Sequence, residues 1–186
     1  MLKKVKKWFG KIEPAKIKRK EIPQEPTQLK PRVEIKEANV PLDSIYMAFH
    51  SPARIAKDYY PVDLLSDILC NGQSSRLYQS ILKEQMLATS IDCYVTGSID
   101  PGLLVIEAKP VEGVSLEILE AAIWNELKKL RRWKVPKAEF QKIKNKIEST
   151  LVFTEMNITN KAMNLAFYEA AGDANLINQE AEKYQI

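Results

Sequence analysis

Few side chains in this sequence could bind a catalytic metal or activate a nucleophile. There is one histidine, His50, and there are two cysteines, Cys70 and Cys93. Hydrolytic zinc draws on at least two imidazoles, or on one imidazole with several thiolates or carboxylates at short spacings. His50 closes an apolar run, and the cysteines form no C-x-x-C pair, so the three come from separate elements at no metal-like spacing. No bound metal and no catalytic residue are therefore expected in this chain. A Ser-His-Asp triad built on His50 fares no better, because no G-x-S-x-G elbow is present. His50 reads instead as a strand-end residue bonded to backbone. The cysteines are compatible with one disulfide or with two buried thiols, and buried thiols are the expected state.

The other chemical candidate is the turn in "CNGQSSRLY". A phosphate loop needs several glycines and a Lys-Ser/Thr pair so that backbone N–H groups converge on the phosphate. This stretch has one glycine and no lysine. A helix N-terminus at Ser74 and Ser75 could hold an anion or a peptide carboxylate, but a turn followed by a helix cap accounts for the same residues. The turn is expected to shape a surface and to perform no reaction.

The elements that must position these residues follow from periodicity. "LKKVKKWF" puts apolar residues at 2, 5, 8 and 9, a short helical stripe with Gly10 as its stop. Residues 11–31 hold Pro14, Pro23, Pro26 and Pro31 among many charges and read as an extended linker. "RVEIKEANV" alternates as a half-buried strand, and "SIYMAFH" is a more continuous run suited to a central one. "KDYYPVDLLSDILC" carries Leu64, Leu65, Ile68 and Leu69 on one helical face, with Asp58 as a candidate cap. A second helix starts at Ser74 or Ser75 and buries Leu77, Tyr78, Ile81 and Leu82. Asp100-Pro101-Gly102 then separates two strands, a hairpin signal. From Ser115 the chain is helical. One helix carries Leu116, Leu119, Ile123, Leu127 and Leu130, another opens at Pro136, a third ends at Gly172, and a fourth follows. Tyr59, Tyr60, Trp124, Trp133, Phe153 and Phe167 are expected in helix packing. Strand pairs interrupted by helices give an α+β fold, a mostly antiparallel sheet covered by helices.

Composition agrees with a globular domain: 45% of residues are hydrophobic and 28% charged. No run approaches the apolar length of a membrane span, and lysines occupy the place where a secretory signal would be apolar. Residues 1–20 carry nine basic side chains and one acidic, against a net charge of only +4 for the whole chain. Such a basic arm can attract nucleic acid or anionic lipid, or it can be a solvated helix end and linker. The lysines are not interleaved with the aromatics of a stacking platform.

The stretch "FHSPARIAKDYYPVDLLSDILCNGQSSRLYQSILKEQMLATSIDCYVTGSIDPGLLVIEAKP" resembles the insulinase/pitrilysin zinc peptidases, which include the mitochondrial processing peptidases. The likeness is to their C-terminal, non-catalytic half. It rests on the Pro52–Leu69 helix, the small-residue turn into "SSRLYQ", the "KEQ" run, the "GSIDPGLLVI" hairpin and the long helix pair after it. The resemblance implies a processing-peptidase-like metallohydrolase domain over 32–186, preceded by a helix end at 1–10 and the linker at 11–31, and truncated at both ends. It implies zinc held by an H-x-x-E-H motif in a catalytic half elsewhere. It implies as partners that half or a separate catalytic subunit, together with extended peptide, and no membrane. The family's Arg and Tyr that bind substrate backbone fall here at Leu82 and Thr89, so that contribution is lost. Gly72, Gln73, Ser74, Ser75 and Arg76 occupy the place of a substrate-handling loop and are the candidate peptide-contact turn. The function expected is a non-catalytic domain forming part of a peptide-binding chamber. A pseudo-enzyme partner subunit and a basic-arm nucleic-acid binder are the alternatives, and the compartment is left open.

Overall fold

The computed structural model describes residues 1–15, 23 and 25–185. The chain divides into two units, 1–38 and 39–186. In the first, helix α1 (Leu2–Phe9) forms where the apolar stripe lies, and the Gly10 N–H bonds the Lys6 carbonyl. The described residues beyond it, to 38, take no regular structure, so the strand expected from "RVEIKEANV" does not form. Val33 and Ile35 are 88% and 89% exposed, and Lys36 pairs with Glu34 in solvent. A strand needs a neighbouring backbone to take its hydrogen bonds, and two alternating apolar side chains bury too little to recruit one. Of the expected linker at 11–31, residues 16–22 and 24 lie outside the described residues.

The second unit is built on three antiparallel strands, β1 (Ile45–Ser51), β2 (Ala88–Val95) and β3 (Gly102–Pro110), in the order β1-β3-β2. The β2–β3 hairpin turns at Asp100-Pro101-Gly102 as the sequence indicates. Register decides what each face carries. Ile45, Ala108 and Ile91 form one cross-strand row, Met47, Ile106 and Cys93 the next, and Phe49, Leu104 and Val95 a third. These rows face the core, which includes Leu69, Leu77, Ile81, Leu119 and Ile123 from the covering helices. Ile106, in the centre of the middle strand, is fully buried. Alternation sends the intervening residues to the opposite face.

Helix α2 (Tyr59–Cys70) presents the expected face: Leu64, Ile68 and Leu69 are buried and Leu65 half-buried. Asp58 precedes it but makes no side-chain cap bond. Its Tyr59, Tyr60, Leu64 and Ile68 also form a second core with Ile143, Ile147 and Tyr184. Helix α3 (Leu116–Arg132) is capped by Ser115, whose hydroxyl accepts from the Ile118 N–H. Helix α4 (Lys137–Met156) starts one residue after Pro136, which sits at the cap and not in the first turn. Helix α5 (Ile158–Ala170) follows, and the expected fourth helix divides into a 3-10 turn (Ala174–Gln179) and α6 (Glu180–Lys183). The α+β class read from the sequence is the class observed. The aromatic expectation holds only in part. Tyr59 and Tyr60 are buried, but Trp124, Trp133 and Phe153 are 38%, 57% and 68% exposed. Trp124 sits one residue off the Leu119–Ile123 face, Trp133 lies past the end of α3, and Phe153 projects away from the Ile143–Ile147 stripe.

A buried ionic contact ties the end of the chain to the start of α2. Arg54 Nη2 donates to Glu180 Oε1 at 2.5 Å, with the glutamate side chain 6% exposed. Burial alone would favour a neutral guanidinium, but attraction to Glu180 outweighs it and raises the Arg54 pKa. Beside this pair Tyr184 Oη donates to Asp63 Oδ2, and burial together with that carboxylate pushes the Tyr184 phenol up.

Candidate peptide-contact turn and open sheet face

Asn71 to Arg76 links α2 to the next helix, and several of its polar groups are engaged. Gly72 sits at φ +96°, a conformation that L side chains rarely adopt. Its carbonyl accepts from both the Ser75 N–H (3.0 Å) and the Ser75 hydroxyl (2.7 Å), so Ser75 is buried and holds the turn closed. The Gln73 carbonyl accepts from Gln79 Nε2, and Ser74 Oγ accepts from Lys142 Nζ at 2.9 Å. Arg76 donates through Nε and Nη2 to the two carboxylate oxygens of Glu139, at 2.9 and 2.7 Å. Lys146 Nζ reaches the Asn71 carbonyl at 3.1 Å and its side-chain oxygen as well. The five candidate residues thus form one turn, in which Ser74 and Arg76 are held by α4 and Gly72 and Gln73 by Ser75 and Gln79.

The α4 residues Glu139, Lys142 and Lys146 were not singled out in the sequence. Their spacing of three and four puts them on one stripe of a helix, a visible signal whose target was not. The hydrogen bond from Arg76 keeps the Glu139 carboxyl below its ordinary range, and the same bond raises the guanidinium. The serine cap expected for the following helix does not form: Leu77 is at its N-cap with no side-chain bond, and Ser75 instead donates its hydroxyl to the Gly72 carbonyl.

That following helix is a π-helix, Tyr78–Glu84, closed by the Gln85 N–H on the Ser80 carbonyl at 3.0 Å. Leu77 and Ile81 are fully buried, as the sequence indicates. The wide turn ends at Met86, which has φ +50° and is 69% exposed. Between the π-helix and α3 lies a cleft of about 520 Å³ lined by Ser80, Gln85, Glu126, Lys129, Arg132 and Trp133, among others. Within it Ser80 Oγ and Lys129 Nζ both donate to Glu126 Oε1, at 2.7 and 2.6 Å. At the two positions where the resemblance places substrate-binding residues, Leu82 packs against the core and Thr89 Oγ1 donates to the Lys109 carbonyl.

The sheet face away from the helices is uncovered over much of its area. Its rows are Tyr46, Glu107 and Asp92; then Ala48, Val105 and Tyr94; then His50 beside Leu103. Tyr46 and Tyr94 are 61% and 42% exposed, and Tyr46 Oη donates to Glu107 Oε1 at 3.1 Å. Among the described residues β1 is paired within the sheet on one side alone, by β3. The face is therefore a shallow, aromatic and mildly acidic floor with an adjoining free strand edge, geometry that suits an extended chain.

The donor set does not fit a zinc ion. His50 stands on the open face, whereas Cys93 pairs with Ile106 in a core-facing row. Both cysteines are free and buried. Burial pushes the Cys93 thiol up to about 12 and the Cys70 thiol well above its ordinary range, which opposes the thiolate a metal needs. Among the described residues no three His, Cys, Asp or Glu side chains converge on a common point.

Comparison with known proteins settles the lineage. The family described as the peptidase M16 inactive domain matches residues 1–147. This chain belongs to the peptidase M16 inactive domain family. It is a non-catalytic domain of the insulinase type, as the resemblance implied. A Rickettsia bellii protein named as a zinc protease is 30% identical over 103 residues, 55% of this chain and 24% of that protein. This chain thus spans about a quarter of the length of that relative. A protease from Helicobacter pylori superposes with a TM-score of 0.75 at 22% identity, over 80% of this chain and 36% of the other. An inactive peptidase domain from Bordetella parapertussis gives 0.70 at 21% identity, over 76% of this chain and 77% of the other. At these identities the two structures establish the shared fold.

Proposed function

We propose that this M16 inactive domain forms one wall of a peptide-binding chamber, opposite a catalytic half that carries the zinc. The observation that carries the reading is the two-sided sheet. One face is sealed by helices, and the other offers Tyr46, Ala48, Tyr94 and Leu103 beside the free edge of β1. An extended peptide can add backbone bonds along such an edge while its alternate side chains meet the aromatic floor. Zinc and its activated water would come from the other half, so this chain supplies binding and orientation and no bond-breaking group.

Gly72, Gln73, Ser74, Ser75 and Arg76 enter this reading at the chamber rim. Ser75 and Arg76 serve its shape through Gly72 and Glu139. Gly72, Gln73 and Ser74 are the exposed residues left to meet a peptide. Residues 11–31 act as the linker between helix end and domain, and the compact unit of that domain begins at residue 39.

The test is binding of a fluorescent, unstructured peptide to the purified chain, followed by anisotropy. Ala48→Glu and Tyr94→Glu, both on the open face, should weaken binding at least ten-fold and leave the thermal midpoint nearly unchanged. Binding that is indifferent to both substitutions would remove the sheet face from the proposal.

A further inference from the structure

Asn71 is the only one of the nine asparagines in the sequence that is followed by glycine. That pair has a chemistry of its own. The backbone nitrogen of the following residue can attack an asparagine side-chain carbonyl, and glycine, with no Cβ, leaves that nitrogen unshielded. A bond forms between the Gly72 nitrogen and Asn71 Cγ. The Gly72 amide proton and the side-chain NH2 depart together as ammonia, and a five-membered succinimide remains. Water then opens either ring carbonyl, giving aspartate or isoaspartate at position 71. Both reacting atoms lie within one dipeptide, so the conversion does not depend on which other chain faces the turn.

We propose that Asn71 is a succinimide-forming modification site that the native turn holds closed, and that release of the turn from α4 starts the conversion. Asn71 has φ −83° and ψ +92°, and the Gly72 N–H donates to the Cys70 carbonyl at 3.0 Å. Asn71 is therefore the centre of an inverse γ-turn. At that ψ its C–N bond points away from Cβ. Ring closure needs the two bonds nearly eclipsed, at a ψ outside both the α and the β regions. The side chain is also anchored at both of its polar atoms: Nδ2 donates to Asp67 Oδ1, and Oδ1 accepts from Lys146 Nζ. Turning Asn71 into the reactive geometry thus frees Asp67 and Lys146 and breaks the γ-turn bond. Asn71, Gly72 and Lys146 are exposed, so this opening requires no unfolding of either core.

The products alter the turn. Aspartate at 71 replaces the donor that now meets Asp67 with a second carboxylate, beside a carboxyl that burial already pushes up. Isoaspartate routes the main chain through Cβ, which adds one atom to the backbone. That shift displaces the Gly72 carbonyl from the Ser75 N–H and hydroxyl that close the turn. Ammonia is lost to solvent, so each conversion is permanent and the accumulated product records how often the turn has opened.

The experiment incubates the full 186-residue chain at mildly alkaline pH, folded or in denaturant, and follows amide-to-acid conversion at Asn71 by peptide mass spectrometry. Conversion in denaturant should be about ten-fold or more faster than in the folded protein. Folded Lys146→Ala should convert several-fold faster than folded wild type, whereas Lys146→Arg, which keeps a cationic donor, should stay near wild type. Lys146 is exposed, so both variants should keep the wild-type melting midpoint, and a faster rate at an unchanged midpoint marks local release of the turn. Gly72→Ala, measured in denaturant where its fold is irrelevant, should convert far more slowly than wild type. Equal rates in the folded and denatured wild type would overturn the proposal. So would a Lys146→Ala rate no higher than wild type, or conversion in denaturant that is as fast at the other asparagines as at Asn71.

Discussion

The clamp between Arg76 and Glu139 lends itself to a quantitative forecast. Arg76→Ala removes two parallel charge-assisted bonds, 2.9 and 2.7 Å long, between side chains only 21% and 20% exposed. Hydrogen bonds to charged groups contribute about 1.5–3 kcal/mol when shielded, and solvent screening at a partly open site reduces this to about 1–2 kcal/mol. For a domain of this size, each kcal/mol moves the midpoint by about 2–4 °C, so the melt should fall by about 2–8 °C. Glu139→Gln should cost a similar amount, and the double variant should cost far less than the two together. The pH dependence has a fixed sign. Glu139 has its pKa lowered in the fold, so its contribution is complete above the unfolded carboxyl value of 4.5 and disappears as pH falls through the lower folded value. The wild type should therefore lose its advantage over Glu139→Gln on acidification below that range. Thermal melts of the four proteins from pH 3 to pH 7 provide the readout. Additive single effects, or a pH-independent difference, would show that the contact does not hold the turn.

Other outcomes follow from the same structure. Arg54→Met strands Glu180, a carboxylate with a side chain 6% exposed, and should destabilise by about 3 kcal/mol in chemical denaturation, with much of the loss recovered by adding Glu180→Leu. Met86→Gly relieves a side chain at φ +50° and should raise stability by up to about 1 kcal/mol, since the exposed thioether has little packing to lose. Cys70 and Cys93 should resist an aromatic disulfide reagent in the native protein at pH 8 and react promptly in denaturant; fast native labelling would contradict their burial.

Much of the fold was legible in local chemistry. Asp100-Pro101-Gly102 marks the hairpin, Ser115 caps α3, and Leu64, Ile68 and Leu69 define the buried face of α2, because each signal acts within a few residues. What was not legible depends on partners far away in sequence. Val33 and Ile35 alternate correctly, yet no described strand lies beside them to complete the pairing. The serines at 74 and 75 are good cap residues, but Lys142 and Gly72 claim their hydroxyls. The clamp joins residues 63 and 75 positions apart, Arg76 to Glu139 and Asn71 to Lys146, and no local period reports such a contact. The π-helix is equally non-local: Ser80 is turned toward the buried Glu126 of α3, 46 residues later. The turn itself is legible from Asn71-Gly72, while the α4 side chains that fix its shape are not.

The most direct test of a non-catalytic role is metal content and turnover on one preparation of the chain, incubated with zinc, desalted and offered an unstructured reporter peptide. Much less than one zinc ion should be retained per chain, with no cleavage that a chelator abolishes. One tightly held zinc per chain, together with chelator-sensitive cleavage, would contradict that role.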